Sequence, residues 1–181
     1  MSVSSANRRI EKLGFKGIET PDFDESLVTA FERVATKFPS RIAVDSDVWQ
    51  PTYREFNEAA NRLAHRLIAC GVGLGDRVAI LMSHDAPMIA AIVGTLKAGQ
   101  IMVPLDPGEP LSRLKMLIED TEPSVIVTDA QNRQLAAELA HNCCIILNFE
   151  SEIAKGPNNN PSIEIPPEQT AFLTQDRKSV V

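Results

Sequence analysis

The stretch Leu96-Lys97-Ala98-Gly99-Gln100-Ile101-Met102-Val103-Pro104-Leu105-Asp106-Pro107 constrains the fold more than any other part of the chain. It reads as the last turn of a helix, a glycine stop, a short buried strand and a proline-bounded exit. Gly99 suits the first position past the helix because only glycine takes the left-handed conformation there without steric cost. Ile101, Met102 and Val103 form an apolar run too short for a helix and suited to a strand covered on both faces. Pro104 lacks an N–H and is expected to end that strand. A helix that passes through glycine into such a strand is one α-to-β joint of an open sheet between helices.

The flanking sequence repeats this alternation. Leu27, Ala30, Phe31, Val34, Ala35 and Phe38 recur at helical spacing up to Pro39. Ile42 to Asp45 and Val48 to Gln50 flank Ser46-Asp47 as a short hairpin. Thr52 and Glu55 make a capping box, followed by the apolar stripe Phe56, Ala59, Ala60, Leu63, Ala64, Leu67 and Ile68 up to Gly71. Arg77 to Met82 reads as a strand, and Asp85 and Pro87 open a buried helix over Met88 to Leu96. After the joint, Pro110 opens a helix carrying Leu111, Leu114, Leu117 and Ile118, which Glu122-Pro123 closes. Ser124 to Thr128 is the next buried strand. Leu135, Ala136, Leu139 and Ala140 mark a helix, and Cys143 to Leu147 a further strand. Strands and helices alternating at this length imply parallel pairing through right-handed crossovers, so the expected class is α/β, a doubly wound, mostly parallel sheet with helices on both faces.

The joint also carries a resemblance. Leu96-Lys97-Ala98-Gly99 followed by Val103-Pro104-Leu105-Asp106-Pro107 is similar to the second core motif of the adenylate-forming superfamily, with Met102 where an aromatic residue is usual. Thr52-Tyr53-Arg54-Glu55-Phe56 resembles the first core motif. Pro110, Arg113, Leu114, Leu117 and Asp120 resemble the segment after the second. The likeness runs from about Leu27 to Thr174 and is closest to the amino-acid adenylation domains of nonribosomal peptide synthetases. It implies the N-terminal subdomain of that fold over residues 26–174, after a flexible lead over residues 1–25. It also implies an activity: intact relatives join a carboxylic acid to ATP, giving an acyl-AMP and pyrophosphate, and pass the acyl group to a thiol such as a phosphopantetheine arm. ATP and Mg2+ are the cofactors implied for such relatives, and a carrier protein or a complete synthetase the partner.

Composition bounds the alternatives. A length of 181 residues suits one ordinary domain of ~100–200 residues. A net charge of −6, with Lys and Arg scattered along helices, argues against nucleic acid or an anionic membrane, because phosphate binding needs clustered cations. No apolar run approaches the ~20 residues of a membrane span, and the segment holding Arg8, Arg9, Glu11 and Lys12 lacks the apolar centre of a signal peptide. Cys70, Cys143 and Cys144 have neither disulfide-framework nor zinc spacing, and read as buried thiols in a reducing, cytoplasmic setting.

Several segments invite a chemical role and have a structural reading. Gly71-Val72-Gly73-Leu74-Gly75-Asp76 follows a helix and leads into a strand, the reverse of a dinucleotide fingerprint. Tyr53 and Glu55 start a helix. His84 and Asp85 are adjacent, point apart and lack a nucleophile nearby. Asp106-Pro107-Gly108-Glu109 reads as a turn. Lys155 to Pro161 reads as a turn-rich loop with no core to offer. No residue is therefore assigned a catalytic, cofactor-binding or metal role.

Thr170 to Thr174 resumes a strand, which in the resembled family feeds a glycine-rich phosphate loop ending in lysine. Here Gln175-Asp176-Arg177-Lys178-Ser179-Val180-Val181 follows, without glycine. Residues 175–181 are thus a divergent tail, either the far side of that loop after an internal deletion or unrelated sequence. The expectation is a truncated relative that is inactive alone, binds no cofactor of its own and self-associates through uncovered apolar surface. Two alternatives differ in class. A non-catalytic interaction or regulatory module would pair with a complete synthetase. A flavodoxin-like binding domain would need a polar or glycine-rich crevice in the loops after Met82, Leu105 and Thr128, where only Asp106 to Glu109 comes near.

Overall fold

The computed structural model describes residues 26–140, 144–166 and 168–174. The expectations for residues 1–25, for Cys143 and for residues 175–181 lie outside them.

Helix α1, Leu27–Lys37, begins where the Ser26 hydroxyl accepts the Thr29 N–H. Helix α2, Tyr53–Ala69, begins at the expected capping box: the Thr52 hydroxyl accepts from the Glu55 N–H, and Glu55 accepts from the Thr52 N–H at 2.8 Å. The Thr52 N–H first, and second the Thr52 hydroxyl, which also donates to this carboxylate at 2.9 Å, hold the Glu55 carboxyl below its usual value. The remaining order is β1 Arg77–Leu81, α3 Ala86–Lys97, β2 Ile101–Leu105, α4 Leu111–Thr121, β3 Val125–Thr128, α5 Arg133–Leu139, β4 Ile145–Asn148 and α6 Phe149–Glu152. Asp85 caps α3 through the Ala86 N–H at 2.6 Å, with Pro87 in the first turn as expected.

All pairings among the four strands are parallel, in the order β2-β1-β3-β4. Alternation along β1 assigns the two faces. Val78, Ile80 and Met82 join Phe56, Leu63, Ala64 and Leu67 of α2 and Ala90 and Ala91 of α3 in one core. Ala79 and Leu81 join Leu114 and Ile118 of α4 and Ala136 and Leu139 of α5 in the other. Helices therefore cover both faces, which is why β1 and β3 are apolar without a polar face. Gly94 is where α2 and α3 approach closely, since a Cβ there would lie 2.8 Å from the Ala60 carbonyl oxygen. Gly99 has φ +70°, as the joint requires, and packs under Leu74.

Four local expectations are corrected. The runs flanking Ser46-Asp47 form no ladder but a single antiparallel bridge, Ile42 to Thr52. The Ser46 hydroxyl takes the Trp49 N–H and donates to its carbonyl, so the backbone turns back on itself while Trp49 stacks on Phe56. Pro104 does not end β2, which continues through it to Leu105. The β2 residues alternate in direction: Ile101 donates towards β1 through the Asp76 carbonyl, whereas Met102 exchanges bonds outward with Ala171 and Leu173. Pro104 shares the parity of Met102, so its missing N–H faces the outer edge and costs β1 nothing. The same absence explains why the expected strand over Thr170 to Thr174 is one parallel bridge, Met102 to Phe172, because the next outward donor would be Pro104. The last expected strand starts at Ile145, and Cys144 instead contacts the Pro123 carbonyl at 3.2 Å.

Candidate functional site

The chain runs from β1 through α3 to β2 on one side, then past β1 to β3, so the strand order reverses between β1 and β3. In open α/β sheets ligands bind outside the carboxyl ends of the strands at this reversal. Ser83 follows β1 there, and Asp129 follows β3. The Asp129 carboxylate is 7% exposed and accepts the Ser83 N–H at 2.7 Å, the Asn132 N–H at 2.8 Å and Asn132 Nδ2 at 2.7 Å. Gln131 accepts from the Ser83 hydroxyl at 3.3 Å. Burial pushes the Asp129 carboxyl up, but the bonds from Ser83 and Asn132 outweigh it and leave it below its usual value.

This network corrects the expectation that only Asp106 to Glu109 offers a polar group at the carboxyl edge. Sequence reading missed it because its members lie more than forty residues apart and meet only once β1 and β3 pair. The available signal was a polar residue directly after each of two buried strands. Two amides that could face an anion, those of Ser83 and Asn132, are spent on Asp129. A phosphate would meet a carboxylate with its donors already engaged, so these residues do not fit the triphosphate of ATP.

The other candidates are spread over the molecule. Gly71 to Asp76 connects α2 to β1, where Gly73 donates to Asp76 at 2.7 Å, and Gly71 and Gly75 have positive φ. His84 is exposed, and Asp85 is committed to Ser46 and Ala86, which in that order hold its carboxyl low. Asp106 accepts the Gly108 N–H at 2.9 Å in a turn after β2. Lys178 and Ser179 lie outside the described residues. Among the described residues no group of three or more His, Cys, Asp or Glu could hold a metal ion, and no helix is long and apolar enough to cross a membrane.

The segment after α6 holds more order than its composition implies. Asn160 Oδ1 accepts from Asn57 Nδ2 and Asn61 Nδ2 at 3.0 Å each and from Lys97 Nζ at 3.2 Å. The Asn158 carbonyl accepts from Asn61 Nδ2 at 2.7 Å, and His65 Nε2 meets the Asn159 carbonyl at 2.9 Å. Further on, Gln169 Nε2 donates to the Gly99 carbonyl, and Ala171 and Leu173 bond Met102. The expectation of a loop with no core to offer is thus corrected: Lys97, 1% exposed, is paired with Glu32 and lies over the Phe31 ring beneath this segment.

Comparison with known proteins accords with this architecture. Residues 31–175 match the family described as AMP-binding enzyme. The chain is 32% identical over 171 residues to phosphinothricin tripeptide synthetase PhsC of Streptomyces viridochromogenes, covering 92% of this chain and 16% of that protein. It is 34% identical over 145 residues to malpinin synthetase of Mortierella alpina, covering 80% and 2%. Among solved structures, the nonribosomal peptide synthetase FmoA3 in its alpha-methyl-L-serine-AMP bound form superposes with a TM-score of 0.76 at 25% identity, over 82% of this chain and 17% of that one. The N-terminal domain of FACL13 from Mycobacterium tuberculosis shares the fold, with a TM-score of 0.76 at 20% identity over 86% and 42%. The chain spans a small part of the length of these synthetases. With the family matched over most of its length, and the joint, the capping box and the parallel sheet all in place, the chain belongs to the AMP-binding enzyme family.

Proposed function

We propose that these residues form the parallel-sheet part of an enzyme that activates a carboxylic acid, an amino acid by the character of its relatives, as an acyl-AMP. The acyl group then passes to a phosphopantetheine thiol on a carrier domain. The supporting observation is the run Ala171 to Leu173, which lies along β2 in the same direction as the four strands. It therefore leads the chain towards the carboxyl side of the sheet. A glycine-rich phosphate segment placed after Thr174 would emerge there, where its backbone amides could approach an anion. ATP and Mg2+ belong to that assembled enzyme.

The 181 residues alone do not carry out the reaction in this reading. No glycine follows Gly156, and the amides at the strand reversal are engaged by Asp129. A carrier protein or the remaining parts of a synthetase are the proposed partners. Phe172, 56% exposed, and Leu173 stand on the outer edge as a surface for them or for self-association. The free thiol of Cys70 suits a reducing, cytoplasmic compartment. Acid-dependent ATP–pyrophosphate exchange by the purified chain tests the claim of inactivity: none is expected with any amino acid, and detectable exchange overturns it. Sedimentation over a concentration series tests self-association, which a monomer at every concentration excludes.

A further inference from the structure

We propose that the joint Lys97 to Met102 is a three-point rail that positions the segment entering the phosphate-binding region, and that Lys97 and Asn160 are its positioning residues. The inference rests on the acid-activation reading for its consequence, but its geometry stands alone. Residues 156–174 return to this joint three times: Asn160 at Lys97, Gln169 at the Gly99 carbonyl, and Ala171 and Leu173 at Met102. Ile163 also packs against Gly99. Three positions within one short stretch, Lys97, Gly99 and Met102, therefore hold residues more than sixty positions later in the chain.

The first anchor is set by the chemistry of lysine. Lys97 Nζ can only donate, so Asn160 must turn its Oδ1 inward. That oxygen in turn demands donors from Asn57 and Asn61, and both present Nδ2. Flipping any of these amides would set carbonyl against carbonyl or amide against ammonium. The cost is visible, since Asn57 Oδ1 and Asn61 Oδ1 are buried without a partner. Two unmet acceptors are tolerated so that one cation can fix the orientation of the segment. Glu32 and the Phe31 ring complete the surroundings of the ammonium. The carboxylate keeps the group charged against burial, which alone pulls its pKa down.

Two measurements test the rail. In the 181-residue chain, hydrogen exchange is followed in Lys97→Met, Asn160→Ala and Asn160→Asp. Asn160 is exposed, so its substitution leaves the packed core in place. Faster exchange at residues 158–173 in Lys97→Met and Asn160→Ala, with β1 and β3 unchanged and protection retained in Asn160→Asp, is the expected pattern. Unchanged protection of that segment, or a uniform loss over the whole sheet, overturns the proposal. In a fusion of this chain's residues 26–174 to the remainder of a related adenylation domain, Asn160→Ala should raise KM for ATP by about tenfold or more while KM for the acid holds, with Asn160→Asp restoring it. An equal change in both constants, or none, overturns the positioning role. A parent fusion without exchange would instead count against the acid-activation reading, and the hydrogen-exchange result would still decide the rail.

Discussion

Asp129 and Lys97 are both buried and ionisable, and both are lowered in the folded chain, so stability rises with pH in two separate windows, one acidic and one alkaline. The Asp129 carboxyl is lowered in the folded chain, so its contribution is present above the ordinary value of 3.8 and is lost as pH falls through the folded value. Denaturant unfolding should show this acid loss in the parent and a flatter profile in Asp129→Asn. Asp129→Ala leaves the Ser83 and Asn132 amides without their acceptor and should cost about 2–3 kcal/mol at neutral pH. Lys97 is lowered from 10.5, chiefly by burial, so the unfolded chain binds more protons just below that value. Stability referred to Lys97→Met should therefore rise with pH as the folded value is passed, and a decline over that range would refute the burial account. Little of this was legible in the sequence. A lysine in the last turn of a helix gives no sign of an asparagine 63 residues later, nor does Ser83 of Asp129. The capping box was legible because Thr52 and Glu55 are three residues apart and need no tertiary partner.

At the scale of elements, the capping box and the glycine contact give separate tests. Thr52→Ala should cost about 1 kcal/mol in unfolding free energy, since the Glu55 N–H loses its hydroxyl acceptor while the backbone N–H of residue 52 still reaches the Glu55 carboxylate. Gly94→Ala places a methyl against the Ala60 carbonyl and the Leu63 side chain, and should cost about 1–3 kcal/mol by separating α2 from α3. The helices and inner strands were legible from apolar periodicity, because the inner strands are buried along most of their length and the helices set an apolar face against the core. Elements failed where pairing, and not periodicity, decides. Pro104 was read as a stop because sequence does not state which neighbour its missing donor faces. Ile42 to Gln50 was read as a hairpin because the claim of Ser46 on Trp49 competes with the ladder and leaves no trace in the hydrophobic pattern.

For the whole molecule, the doubly wound class followed from alternating elements, whereas the order β2-β1-β3-β4 did not, since alternation fits several orders. The order is what gathers Ser83 and Asp129 at one crevice and leaves β2 at an edge for residues 171–173 to join. The central claim is that this sheet contributes architecture to acid activation, while the anion-holding chemistry is supplied by a segment following Thr174. The most direct test is amino-acid-dependent ATP–pyrophosphate exchange by a fusion of residues 26–174 to the phosphate loop and remaining subdomains of a related adenylation domain, with the 181-residue chain beside it. The account predicts exchange from the fusion and none from the chain. A folded fusion without exchange, or exchange from the chain alone, would contradict it.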